Sequence, residues 1–186
     1  GPYPRRPQGL AASMAQALDL ELARSLAIRA SGLGLGPGEG FSRGHEGAAQ
    51  ALGHLSALQI DTISVVERAH HHVLWSRVPA YSTASIGVLE AEPRRAIEYW
   101  SHAAAWIPLE DYRYCLPRME RIRRRGHEWF KVDAKVVRAV RARLKAEGPL
   151  RVQDFEKRPP GSQGWWDWKP SKLGLEYLFH CGGVAS

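Results

Sequence analysis

The sequence predicts a mainly α-helical protein with small β wings, arranged as tandem winged helix-turn-helix units. Three observations predict it. Apolar residues recur at helical spacing in several short segments, each with recognisable start and stop residues. Two strand-like runs, Ala96-Ile-Glu-Tyr-Trp100 and Ala105-Trp-Ile107, follow three of these helices and supply a wing. The order helix, short helix, turn, helix, strand then returns in the second half. On this reading residues 1–17 form a Pro-, Gly- and Ala-rich flexible tail. Residues 18–115 form a first winged-helix unit, and 116–186 a second that stops where its wing should follow.

The elements are justified in turn. Asp19 is an N-cap residue for a helix with Leu22, Ala23, Leu26, Ala27 and Ala30 on one face, closed near Gly32. Residues 32–44 hold six glycines and a proline and read as loop. Gly32, Gly34, Gly36 and Gly38 lack the preceding strand of a phosphate-binding fingerprint. A second helix is expected from about Glu46 to Ala57, burying Ala48, Leu52 and Leu55. Leu58 to Asp61 reads as extended backbone. Ser64-Val-Val-Glu67 fits a capping box, so a third helix is expected to open near Val65 and run to about Arg77. Further on, a long helix is expected from about Met119 to Ala146, broken at Gly126 and ended by Gly148-Pro149. A short helix over Val152 to Glu156, an aromatic turn at Trp165–Pro170, a helix over Ser171–His180 and a strand beginning at Gly182 complete the plan.

Charge is unevenly spread. The chain carries 26 Lys and Arg against 19 Asp and Glu, a net +7. Residues 118–158 alone hold 14 basic and 6 acidic residues, which leaves the remainder close to neutral. A localised basic surface points to a polyanionic partner. The two cysteines, Cys115 and Cys181, are too few for a disulfide framework or a thiolate zinc site, as suits a reducing cytoplasm. No apolar run is long enough to span a membrane, and the N-terminus lacks the hydrophobic core of a secretory signal.

The chemistry centres on residues 58–61. In extended backbone, side chains alternate faces, so Gln59 and Asp61 project together while Leu58 and Ile60 enter the core. An amide beside a carboxylate can hold a water. The same pattern also fits a polar strand edge, or an aspartate capping the next helix.

Gln59-Ile60-Asp61, running into Val66-Glu-Arg-Ala-His-His-His-Val-Leu-Trp-Ser-Arg77, resembles the signature of the AlkZ/YcaQ family of bacterial DNA glycosylases. Tyr99-Trp-Ser-His-Ala-Ala-Ala-Trp-Ile-Pro108 and Trp165-Trp-Asp-Trp-Lys-Pro170 are similar to two further blocks, in matching order, and the similarity spans roughly residues 18–186. The resemblance implies hydrolysis of the N-glycosidic bond of cationic N7- or N3-alkylpurines, and unhooking of nitrogen-mustard interstrand crosslinks. It implies Gln59 and Asp61 as catalytic residues, which position a water against the anomeric carbon. The Gln-x-Asp form differs from the Gln-x-Gln of some relatives, a difference expected to alter substrate range. Further winged-helix units and a C-terminal β-barrel follow in the family. They are absent here, which suggests a fragment or truncated product.

A purine alkylated at N7 or N3 leaves as a cation's neutral base, so no general acid is needed; a carboxylate and a water suffice. No lysine precedes Lys131, so no Schiff base is available near the motif, which suits a monofunctional enzyme without lyase action. His102 and His71 are further candidates for the cleft. Three consecutive histidines, His70 to His72, spread too widely around a helix to ligate one metal, and no metal or organic cofactor is implied. Arg68, Arg77, Arg121, Arg124, Arg125, Lys169 and Lys172 are candidate phosphate contacts. Trp165, Trp166 and Trp168 read as packing for the last helix. The expected partner is double-stranded DNA with alkylated bases, met by a cytoplasmic, nucleoid-associated monomer with no membrane contact. The rivals are a non-catalytic winged-helix regulator and an inactive glycosylase fragment.

Overall fold

A computed structural model of the chain describes residues 18–35, 39–91, 93–155 and 169–185. The expected tail, the middle of the Gly-rich loop and the aromatic turn at Trp165, Trp166 and Trp168 lie outside the described residues. The fold is mostly helical with one small antiparallel sheet. Helix α1 (Leu20–Ala30) is followed by α2 (Gly44–Leu55), β1 (Leu58–Gln59), α3 (Ala69–Trp75) and α4 (Ser85–Glu90). Then come β2 (Ala96–Trp100), β3 (Ala104–Pro108), a single 3₁₀ turn, α5 (Tyr112–Arg125), α6 (Ala134–Glu147), α7 (Val152–Phe155) and α8 (Pro170–His180).

Several elements form where local chemistry asks for them. The Asp19 carboxylate accepts the Leu22 N–H at 2.8 Å and starts α1. Its apolar face is not buried, however: Leu22 and Leu26 stay about half exposed. What holds α1 is polar. His54 Nε2 donates to the Ala30 carbonyl at 2.8 Å, and Arg77 Nε to that of Ser31 at 2.8 Å. Helix α2 buries Ala48, Ala51 and Leu52, with Leu55 only half-buried. Gly47 lets this helix lie directly on the preceding loop, since a Cβ there would stand 1.8 Å from the Ser42 carbonyl oxygen.

The sheet has the order β1-β3-β2. Leu58 pairs with Trp106 and Gln59 with Ala105, while Tyr99 pairs with Ala105 from the other side. Strand alternation then sorts the side chains between two cores. Leu58, Ala96 and Trp106 pack with α2, α3 and α4, against Ala48, Leu52, Leu74 and Leu89. Ile97, Tyr99 and Ile107 pack on the other face against Met119 of α5 and Phe179 of α8.

Four expectations are corrected. The capping box at Ser64 does not open a helix; α3 begins at Ala69, because Glu67 turns its carboxylate onto the adjacent Arg68 N–H at 2.9 Å. The long helix expected from Met119 starts earlier, at Tyr112, and its expected break at Gly126 widens to residues 126–133 between two helices. Gly126 ends α5 at φ 80°, a backbone region closed to other residues. Residues 182–184 form a turn and not a strand, with Gly183 and Val184 donating back to the Leu178 carbonyl. Helix α4, with Ile86 and Leu89 buried, was not foreseen. The 115/116 border drawn from composition lies inside α5, and the second core runs across it.

A buried hydrogen bond ties this core to the end of α8, from the Tyr99 hydroxyl to the His180 carbonyl at 2.7 Å. Tyr99→Phe would leave this carbonyl buried without a donor. Its unfolding free energy, measured by urea titration, is expected to fall by about 1–3 kcal/mol with an unchanged slope.

Candidate functional site

Gln59 stands on the edge strand β1 and is exposed. Its register partner Ala105 lies opposite Tyr99, so Gln59 projects from the sheet face that carries α5 and α8. The ladder continues one residue further, with the Ile60 N–H donating to the Ala104 carbonyl at 2.8 Å. Asp61, two positions on from Gln59, lies just beyond the strand and is half-buried.

Each member of the pair is oriented by a neighbour. His102, exposed in the β2–β3 turn, places Nε2 3.0 Å from Gln59 Oε1. The Ser101 hydroxyl stands 3.4 Å from the other ring nitrogen. With the amide oxygen accepting from the imidazole N–H, the Gln59 NH₂ group has no hydrogen-bond partner among the described residues. Asp61 Oδ1 accepts the Ile63 N–H at 2.8 Å, which closes a local turn, while Oδ2 has no hydrogen-bond partner among the described residues. The Asp61 backbone N–H donates to His70 Nδ1 at 3.1 Å.

His70 is 2% exposed and lies edge-on against Trp106. Burial, assisted by the neighbouring His71 and Arg68, pushes its pKa down to about 4. It is therefore neutral at physiological pH and accepts through Nδ1, as its contact with Asp61 requires. His71 does not join the pair. Its Nδ1 meets the Tyr81 hydroxyl at 2.7 Å, and burial lowers its pKa. Burial also raises the Tyr81 hydroxyl to about 12, so it stays protonated.

The arginine run of α5 divides into two sets. At about 100° per residue, Arg118, Met119, Ile122 and Arg123 fall within about 140° of arc; Arg121 and Arg124 lie beyond it, and Arg125 stands about 20° outside it next to Arg118. Met119 and Ile122 are buried, Arg118 is half-buried and Arg123 is exposed, and both arginines spend guanidinium N–H groups on backbone carbonyls. Arg118 Nη1 donates to the carbonyls of Trp100 and Ser101 at 3.1 and 3.0 Å, pinning the turn that bears His102. Arg123 Nε donates to the Cys181 carbonyl at 2.8 Å. Arg121, Arg124 and Arg125 are exposed, with Arg124 paired to Glu120 at 2.7 Å. Arg121 and Arg125 line a surface cavity of about 230 Å³ with Arg118, His127 and Trp129. Trp129 is 69% exposed and stands edge-on to Trp100, ring centroids 5.7 Å apart.

Gln59 on the sheet edge is thus linked, through His102 and the turn held by Arg118, to a basic, aromatic surface. The family model described as AlkZ-like DNA glycosylase matches residues 52–185. The chain belongs to this family. The match takes in β1, the histidine helix, β2, β3 and both halves of the basic region, so every residue of the pair's surroundings lies within the AlkZ-like segment. No solved structure matches the chain.

The remaining sequence candidates separate by geometry. Arg68 is exposed just ahead of α3. Arg77 is half-buried and spends Nε and Nη1 on the carbonyls of Ser31 and Val73, so it ties α1 to α3 and leaves the phosphate set. Lys169 precedes α8 and Lys172 lies beside Glu98 and Glu176, both half-buried, which weakens them as phosphate ligands. Among the described residues no group of three or more His, Cys, Asp or Glu could hold a metal ion, and no helix is long and apolar enough to cross a membrane. Sequence reasoning did not tell which of the three histidines is core-facing, and it took Arg118 only as one of the basic run. His70, Leu74 and Val78 form a buried i, i+4, i+8 stripe, a spacing that would have singled out His70 from its two neighbours.

His180 shares the behaviour of His70: burial holds it near 4 as well. In the unfolded chain both titrate near 6.5. Between these values the unfolded chain binds more protons, so stability is full above pH 6.5 and falls as pH drops towards 4. His70→Gln should reduce that slope, as read from denaturation midpoints across the window.

Proposed function

We propose that this chain is a monofunctional DNA N-glycosylase that hydrolyses the glycosidic bond of cationic N7- and N3-alkylpurines, with Gln59 and Asp61 as its catalytic pair. The observation that carries the reading is the division of hydrogen-bonding capacity between them. His102 occupies the Gln59 carbonyl and leaves its donors; the Ile63 N–H occupies one Asp61 oxygen and leaves the other as acceptor. One water can satisfy both groups, held by the amide and activated by the carboxylate.

The reaction follows from this. An alkylated purine departs as a neutral base, taking the bonding electron pair, and leaves an oxocarbenium-like sugar. Asp61 stabilises that positive charge and accepts the proton of the attacking water, whose oxygen bonds to the anomeric carbon. The first lysine is Lys131, so the motif's own segment offers no amine for a lyase step. The site stands on an edge strand and is not enclosed, which suits a base still tethered across an interstrand crosslink; full extrusion into a pocket would be blocked for such a lesion.

We further propose that α2, β1, α3, α4, β2 and β3 make a winged helix-turn-helix unit, with the β2–β3 turn as the wing, and that α6 to α8 begin a second. Arg121 and Arg125 then bind phosphate, with Arg68 on the near side of the pair. Phosphate contacts position the duplex and give affinity a salt dependence.

Two experiments test this. Release of 7-methylguanine from methylated DNA is expected from the wild type without strand scission, and Asp61→Asn should lower the rate by about 10²–10⁴. Equal release by both proteins would remove Asp61 from catalysis, and tight duplex binding without release by either would favour a regulator. Arg121→Ala with Arg125→Ala should weaken duplex binding regardless of sequence, and reduce the slope of log affinity against log salt by about 2.

A further inference from the structure

The segment between Asp61 and α3 carries a feature that catalysis does not use. Val65 and Val66 are 91% and 86% exposed, and Ile63 is 73% exposed. Scattered surface apolar residues are ordinary, but three within four positions, two of them nearly naked at one apex, are not. The loop that presents them is built. Asp61 Oδ1 holds the Ile63 N–H, Ser64 and Arg68 form a bridge across the apex, and the Glu67 carboxylate holds the Arg68 N–H. His72 Nε2 reaches the Glu67 carbonyl at 3.2 Å, and the loop's first residue is fixed by His70. The apex is thus set relative to Asp61 by hydrogen bonds at both ends.

Resting on the glycosylase reading above, we propose that Val65 and Val66 form a wedge that enters the DNA stack beside the damaged nucleotide and unstacks it. Distance supports duplex DNA as the occupant. Val65 is four residues from Asp61, at most about 14 Å of extended chain, which is about four base steps at 3.4 Å each. Whatever nucleotide Asp61 addresses, the apex lies within the same few steps. Charge supports it too, since the exposed Arg68 flanks the apex on the helix side while Glu67 is half-buried and turned onto the backbone. Apolar side chains inserted between base steps are a recognised means of kinking and opening a duplex. Valine suits a preset wedge, because its branched Cβ fixes the side chain before insertion.

The test uses the full chain and a duplex carrying 2-aminopurine beside a tetrahydrofuran abasic analogue, which cannot be cleaved. Wild type should raise the 2-aminopurine fluorescence on binding. The Val65→Ser, Val66→Ser double variant should bind with little rise, while Val65→Leu, Val66→Leu keeps it. Both positions are exposed, so thermal unfolding should not shift. On 7-methylguanine substrates the serine pair should release base from duplex about tenfold more slowly than wild type, and from single-stranded DNA at the same rate. An undiminished rise with the serine pair, or equal loss of release from duplex and single strand, overturns the wedge. Duplex binding by wild type without any rise also overturns it. Binding with a rise but no release leaves the wedge standing and removes the glycosylase reading; failure of wild type to bind DNA removes both.

Discussion

The register of β1 on β3 is the constraint on which the site depends. Only Leu58 and Gln59 form regular ladder pairs, extended by the Ile60 hydrogen bond to Ala104. Because side chains alternate with period two, a slip of one residue would turn Gln59 into the core of α2, α3 and α4, and expel Leu58. Leu58 is 3% exposed among Ala48, Leu52 and Leu74, so such a slip would exchange a well-packed leucine for a buried amide without partners. The apolar partner of the motif is therefore what aims its amide. Two residues of strand suffice because one side of them is sealed.

The same sheet face joins Gln59 to the basic region. Tyr99, Ile97 and Ile107 bring α5 beneath the strands, and α5 then has a buried arc and an exposed one. Its buried arc includes Arg118, whose guanidinium holds the turn bearing His102, which in turn orients Gln59. Its exposed arc carries Arg121 and Arg125 beside Trp129. One helix thus supports the proposed catalytic amide and offers cations at the side, so the spacing between the proposed water-holding group and the proposed phosphate contacts is a property of a single rigid element. A change that rotated α5 would disturb both at once.

Helix existence was legible in the sequence wherever a cap and a stripe agreed. Asp19, the Gly148-Pro149 stop and the Ser171–His180 stripe each mark an element the structure contains. The family, too, was legible, because three separated blocks carried the resemblance. The capping box at Ser64 misled for a physical reason: Glu67 had a nearer donor in the Arg68 N–H, and an apolar tip that reaches no core gains nothing from becoming helix. The arginine run could not be divided from composition alone. Which cations reach outward depends on how α5 is rotated, and that is set by Met119 and Ile122 through contacts far away in sequence. Arg77 was unreadable for the same reason, since its partner Ser31 lies 46 residues before it.

Burial of His70 bears on the proposed chemistry more than its distance from the sugar would suggest. A histidine with an ordinary pKa beside Asp61 would be cationic in part of the population and would compete for the carboxylate's charge. Sealed against Trp106 and held near 4, it stays neutral and spends its Nδ1 lone pair on the Asp61 N–H. It fixes the backbone of the aspartate without neutralising its side chain. The negative charge is then available to the group that needs it, a sugar turning positive as a neutral purine leaves. In a site on an open edge strand, where water screens every interaction, withholding a competing cation within hydrogen-bond distance matters more than adding a second carboxylate, which would raise the cost of ionising the first.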